Sequence, residues 1–75
     1  MPHVEISHFP AELTDTDRQR LEQDIVAAVT RAFGVPVGAV SIGLDPVDPA
    51  DWPARVYRPL ISERAGGAPL RSPDY

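Results

Sequence analysis

One helical pattern flanked by two short alternating segments constrains the fold of this chain most. Apolar residues recur at spacings of three and four over positions 15–33, which predicts a single helix with one apolar face. Apolar and polar residues alternate over 3–8 and again over about 39–45, which predicts two half-buried strands. Because a helix of about five turns joins them, the strands must be parallel neighbours with a right-handed crossover. The predicted fold class is therefore α/β, with a βαβ unit in residues 1–45.

The ends of the helix carry recognisable signals. Thr14 is a suitable N-cap, and Asp17 three residues later supplies a capping-box carboxylate. Gly34 followed by Pro36 predicts the C-terminal end. Phe33 closes the apolar stripe of the helix and is expected in the core.

The chain is short, with 75 residues and no cysteine, so it forms one domain with a thin core and no disulfides. A two-stranded parallel sheet leaves both edges open and has only one face covered. Two such units paired edge to edge give a four-stranded sheet with both helices on one face. We therefore expect a homodimer.

Residues 46–75 contain most of the nine prolines and the Gly66-Gly67 pair, so no long element fits there. A short helix is predicted near Asp51–Arg58, with Pro59 as its terminator. One face of that helix is expected to hold Trp52, Val56 and Leu60. From Ser62 onward we expect an extended arm that wraps the partner subunit.

Charge and hydropathy exclude several classes of function. The net charge of −4 argues against nucleic-acid binding, which depends on attraction to phosphates. No apolar run approaches the roughly 20 residues of a membrane span, and no signal peptide is apparent. The sequence thus predicts a cytoplasmic protein with neither nucleic-acid nor membrane partners. All seven basic residues are arginines, and four lie in the C-terminal third: Arg55, Arg58, Arg64 and Arg71.

Pro2 carries the clearest chemical signal. Methionine aminopeptidase removes an initiator Met when the next residue is small, so the mature chain should begin with Pro2 as a free secondary amine. Burial beside cations disfavours the ammonium form of such an amine and lowers its pKa toward neutrality. A prolyl nitrogen in that state is a general base or a nucleophile at cellular pH.

The opening residues MPHVEISHFP, the single long helix and the segment AVSIGL at 39–44 occur together in this short chain. The later Asp51-Trp52, the segment VYRP at 56–59 and the terminal PDY at 73–75 add to the pattern. In combination they resemble the 4-oxalocrotonate tautomerase family, the later segments its small dimeric branch. The resemblance implies keto–enol tautomerisation of 2-oxo acids, with Pro2 as the proton shuttle and no cofactor.

The substrate-binding arginines of the family's best-known members are missing. One would lie just after the first strand, near 9–12, and the other at Ser41. This departure argues against a dicarboxylate dienol substrate but leaves the proline chemistry intact. Arg55 is the first candidate to replace them and Arg58 the second, while Ser41 is a candidate hydrogen-bond donor to substrate. Trp52 is expected to line the pocket, which would suit a substrate with an aromatic ring.

A metal site is not predicted. His3 and His8 lie five residues apart on opposite faces of the first strand, and His3 with Glu5 alone makes too few ligands.

The predicted function is that of a cofactor-independent tautomerase acting on a small 2-oxo acid or its enol, with Pro2 as general base. Two alternatives stay open. Pro2 could act as a general acid in a hydratase, dehalogenase or decarboxylase of an unsaturated acid. The fold could also serve a non-catalytic dimeric interaction module, which the missing arginines favour.

Overall fold

The computed structural model describes residues 1–75 and contains a βαβ unit followed by a π-helix. Strand β1, helix α1 and strand β2 are His3–His8, Asp15–Phe33 and Ser41–Pro46. Two short 3₁₀ turns and the π-helix complete the chain, at Val37–Ala39, Pro49–Asp51 and Pro53–Ser62. The predicted α/β class and βαβ order are confirmed. Strand β2 begins two residues later than predicted because the first 3₁₀ turn precedes it.

The two strands are parallel, and their register separates an apolar face from a polar one. Val4 is paired with Ile42, and Ile6 with Leu44. Ile42 and Leu44 line a groove together with residues of α1, so the helix lies over the apolar face. The opposite face pairs His3 with Ser41, Glu5 with Gly43 and Ser7 with Asp45.

Helix α1 begins and ends where its capping residues predict. The Asp17 N–H donates to Thr14 Oγ1 at 3.0 Å, which satisfies one of the free amides of the first turn. Gly34 adopts the left-handed conformation with φ 65°, and its N–H donates to the Thr30 carbonyl at 2.9 Å. A residue without Cβ is favoured at this C-cap because such a φ strains other residues.

The C-terminal helix differs from the prediction. It continues through Pro59 to Ser62 instead of ending at Arg58. In an α-helix, a proline ring clashes with the carbonyl four residues earlier. In a π-helix the hydrogen bonds span five residues, so that carbonyl is no longer aligned with the ring. The bond from the Glu63 N–H to the Arg58 carbonyl, at 2.8 Å, shows this wider turn directly.

The wider turn also changes which residues the helix buries. Trp52, Val56, Tyr57 and Ile61 are buried or partly buried, at spacings of four and five. Leu60, expected on that face, is 48% exposed. The prediction for Leu60 was wrong because it assumed the period of an α-helix.

One chain alone has almost no core. Only Val47 and Val56 are fully buried, at 1% and 6% exposure, and no residue of α1 is. Phe33, expected in the core, is 69% exposed. No helix is both long and apolar enough to cross a membrane.

Candidate active site

Pro2 lies immediately before β1, at the amino end of the sheet. Its carbonyl accepts a hydrogen bond from the Ser41 N–H at 3.2 Å, where β2 begins. The parallel register therefore brings two of the predicted site residues, Pro2 and Ser41, together.

An open cavity of about 490 Å³ surrounds Pro2. Most of its wall is apolar and comes from the C-terminal end of α1 and the loop after it, as well as from the start of β1. The lining residues are Met1, Pro2, His3, Val4, Val29, Phe33 and Val35. No arginine lines the cavity, so within one chain Pro2 has an apolar pocket but no cation for a substrate carboxylate.

The polar face beside Pro2 carries a hydrogen-bonded network. Ser41 Oγ is 2.7 Å from His3 Nδ1, and Glu5 Oε1 is 3.4 Å from His3 Nε2. The three side chains are exposed to solvent. Together, His3, Glu5 and Ser41 form what we call the polar network.

Arg55 lies at the opposite, carboxyl end of the sheet. Its Nη2 donates to Asp45 Oδ2 at 3.2 Å, and the two side chains are 51% and 42% exposed. One nitrogen of the guanidinium is engaged in this pair, and the remaining donors of its fork are available to another carboxylate.

An aromatic cluster stands at the same end of the sheet. Trp52 meets Phe9 edge to face, with ring centroids 5.0 Å apart, and its Nε1–H donates to the Tyr75 hydroxyl at 3.1 Å. Tyr75 also contacts Tyr57, at 5.8 Å between centroids. An apolar cavity of about 580 Å³ is lined by Phe9, Pro49, Trp52, Pro53 and Tyr75. The C-terminal residue therefore contacts its own chain, in the cluster where Trp52 was expected to line a pocket.

The predicted site residues thus form two groups. Pro2 and Ser41 lie at the amino end of the sheet, and Trp52 and Arg55 at the carboxyl end. A strand of this length separates the groups by roughly 20 Å. Arg58 is exposed and forms no ion pair.

No cluster of three or more His, Cys, Asp or Glu side chains is arranged to hold a metal ion.

Comparison with protein-family models found no match. Curated proteins similar to the chain are named Tautomerase PptA. The protein from Klebsiella pneumoniae subsp. pneumoniae is 43% identical over 54 residues, which covers 72% of each chain. The one from Enterobacter sp. (strain 638) is 39% identical over 57 residues, covering 76% of this chain and 75% of the relative. The one from Pectobacterium carotovorum subsp. carotovorum is 30% identical over 61 residues, covering 81% and 80%.

The chain belongs to the tautomerase superfamily, in its 4-oxalocrotonate tautomerase-like family. It is accordingly an isomerase-type enzyme, and cofactor independence fits this family. The resemblance to the 4-oxalocrotonate tautomerase family is confirmed.

Two groups in this tautomerase were not recognised from the sequence. The first is the polar network, which depends on the pairing of His3 with Ser41 across the strands. The alternation pattern places both residues on polar faces, so a two-strand alignment could have found it. The second is Arg18, which lines a cavity of about 280 Å³ after β1 together with His8. Arg18 lies outside positions 9–12, where the resemblance places an arginine, and α1 brings it back toward the end of that strand.

Proposed function

We propose that this tautomerase interconverts the keto and enol forms of a small 2-oxo acid, with the nitrogen of Pro2 as general base and no cofactor. The observation that carries the proposal is the position of Pro2. It borders an apolar cavity at the amino end of the sheet, and its carbonyl accepts a hydrogen bond from the Ser41 N–H.

The base requires removal of Met1, because the nitrogen of Pro2 is otherwise an amide. Met1 is 99% exposed, so its loss removes little packing. The hydrogen bond between Pro2 and Ser41 uses the carbonyl of Pro2 and not its nitrogen, so it survives processing. The processed chain would thus keep this anchor and present a free prolyl amine at the cavity, as acid–base catalysis by Pro2 needs.

A homodimer would bring the two groups of site residues together. A two-fold axis that keeps both helices on one face of a shared sheet runs perpendicular to that sheet, and it reverses the strands of the second copy. The carboxyl end of the partner's sheet then lies toward Pro2 of the first chain. Trp52 and Arg55 would in this way reach the proline of the other subunit.

The substrate class follows from those two residues. Trp52 stands in an apolar cavity large enough for an aromatic ring, and Arg55 supplies a planar cation for a carboxylate. An arylpyruvate carries an aromatic ring on its enolisable carbon and a carboxylate on the neighbouring carbonyl carbon. We therefore propose an arylpyruvate or its enol as the substrate.

The deciding experiment follows the ketonisation of phenylenolpyruvate by Pro2→Ala. Alanine keeps a terminal amine but loses the secondary amine and its rigid ring, so kcat/KM should fall by about 10²-fold or more. Pro69→Ala is the matched control, since that proline lines neither the Pro2 cavity nor the Trp52 cavity, and its rate should equal that of the wild type. An unchanged rate for Pro2→Ala would assign the base to another group.

A further inference from the structure

Both ring nitrogens of His3 have a polar partner in the polar network. A carboxylate only accepts hydrogen bonds, so Nε2 carries a hydrogen and donates to Glu5 at 3.4 Å. In the neutral ring Nδ1 then holds a lone pair, and the Ser41 hydroxyl donates to it at 2.7 Å. A hydroxyl is thus backed by a base, and the base is oriented by a carboxylate, the arrangement that activates a hydroxyl for proton transfer.

Gly43 provides the space in which the Glu5 carboxylate lies. The two residues are directly paired across the strands. A Cβ on Gly43 would stand 2.9 Å from the carboxyl carbon of Glu5 and would overlap Oε2. Glycine at this position therefore lets Glu5 lie over β2 while it contacts His3.

The polar network lies next to Pro2 at the amino end of the sheet. The same Ser41 that contacts His3 donates its N–H to the Pro2 carbonyl, and His3 borders the Pro2 cavity. In a keto–enol reaction the hydroxyl that loses a proton and the carbon that gains one are two bonds apart. Two proton-transfer groups for such a substrate must consequently stand close together, and Pro2 and Ser41 are neighbours at the amino end of the sheet, joined by a backbone hydrogen bond of 3.2 Å.

We propose that Ser41, His3 and Glu5 form a proton relay that takes the hydroxyl proton of the enol while Pro2 protonates its carbon. The inference rests on the proposed function and adds a second proton-transfer group to it.

In the ketonisation step the prolinium form of Pro2 gives a proton to the carbon next to the enol carbon. The enol O–H bond breaks, its proton passes to Ser41 Oγ, and the Ser41 proton passes to His3 Nδ1. The electrons of the O–H bond form the new C=O bond, and those of the C=C bond form the new C–H bond. The products are the 2-oxo acid, neutral Pro2 and an imidazolium that faces the Glu5 carboxylate.

The resting state is restored through water. His3 and Glu5 are each 54% exposed, so the imidazolium can release its proton to solvent. Pro2 takes a proton from water in its open cavity. The numbers of protons lost and gained are equal, and no other reactant is needed.

The test measures kcat and KM for phenylenolpyruvate in Ser41→Ala and His3→Gln. Glutamine at position 3 can accept the Ser41 hydrogen bond through its carbonyl but cannot take up the proton. Both variants should lower kcat by about ten-fold or more and change KM by less than about two-fold. Ser7→Ala, on the same face of β1, is the matched control and should keep the wild-type kcat. A wild-type kcat for His3→Gln would overturn the relay, since His3 would then only position Ser41.

A rescue experiment separates proton transfer from packing. His3→Ala removes an exposed ring, and added imidazole can enter the space it leaves. Imidazole should restore kcat of His3→Ala in a concentration-dependent manner, but it should not restore Ser41→Ala. Absence of rescue in a folded His3→Ala protein, judged by circular dichroism, would contradict the proposal.

The rate of Pro2→Ala, measured in the same assay, distinguishes the proposed relay from the proposed function. A large loss in Pro2→Ala with wild-type rates in the Ser41 and His3 variants would overturn the relay alone. A wild-type rate in Pro2→Ala would overturn the proposed function, and the relay with it.

Discussion

Arg55 donates to Asp45 at 3.2 Å, at the end of the sheet that lies farthest from Pro2. Asp45 is the second-last residue of β2, whereas Pro2 precedes β1, and the strands are parallel. One small substrate cannot bridge the roughly 20 Å between these ends of a single chain. If Arg55 and Pro2 act on the same molecule, they belong to different subunits.

Arg55→Ala should raise KM for an arylpyruvate by roughly ten-fold or more, with little change in kcat. One charge-assisted hydrogen bond contributes on the order of 1.5 to 3 kcal/mol, and a contact made equally in ground and transition states appears in KM. The measurement is steady-state kinetics on the dimeric variant. Arg58→Ala serves as the comparison, because that side chain is exposed and unpaired on the same helix. If only Arg58→Ala raised KM, Arg58 would be the arginine that binds the substrate carboxylate. If neither variant changed KM, the carboxylate site would lie outside this helix.

Mixing Pro2→Ala and Arg55→Ala chains tests whether the site is shared. In a mixed dimer with sites between subunits, one site combines the intact Pro2 of one chain with the intact Arg55 of the other. After unfolding and joint refolding, activity at low substrate should rise to about one quarter of the wild-type value, since half of the dimers are mixed and each has one intact site. A mixture no more active than the average of its two parents would show that each site belongs to one chain.

Gly43→Ala should lower kcat without any change to Pro2, Ser41 or His3 themselves. The added methyl group would occupy the space of the Glu5 carboxylate and displace it from His3. We expect a decrease of about three-fold or more in kcat for phenylenolpyruvate, because His3 loses the carboxylate that orients it. Gly38→Ala is the matched control, since its Cβ would meet nothing within 4 Å. Equal rates for the two alanine variants would mean that Glu5 has no part in the reaction.

The βαβ unit could be predicted from the sequence because its signals are local. Each signal depends on residues that are close together in the chain: the alternation over 3–8, the helical period over 15–33, and the caps Thr14 and Gly34. The π-helix could not be predicted, because the number of residues per turn depends on how the helix accommodates Pro59. The proximity of Pro2 and Ser41 followed once the strands were known to be parallel. The separation of Arg55 from Pro2 did not follow, because sequence distance says nothing about which end of the sheet a later helix occupies.

Intact-mass measurement of the native protein should show that Met1 has been removed. Pro2 is small enough for methionine aminopeptidase, and a free prolyl nitrogen is the proposed base. The measurement is mass spectrometry of protein purified without an N-terminal tag. Retention of Met1 on most molecules would end the catalytic interpretation of Pro2, because an amide nitrogen has no useful basicity.

Light scattering should report a dimer, with twice the 8.2 kDa mass of one chain, and not the hexamer common in the family. One chain fully buries only Val47 and Val56, so its apolar helix face and open strand edges need a partner. The other face of the sheet carries the polar network and the Arg55–Asp45 ion pair. Stacking dimers through that face would bury these polar groups away from water at a cost that no apolar contact there offsets. The mass should therefore stay that of a dimer as protein concentration is raised, and a hexamer at any of these concentrations would show that the polar face is an interface.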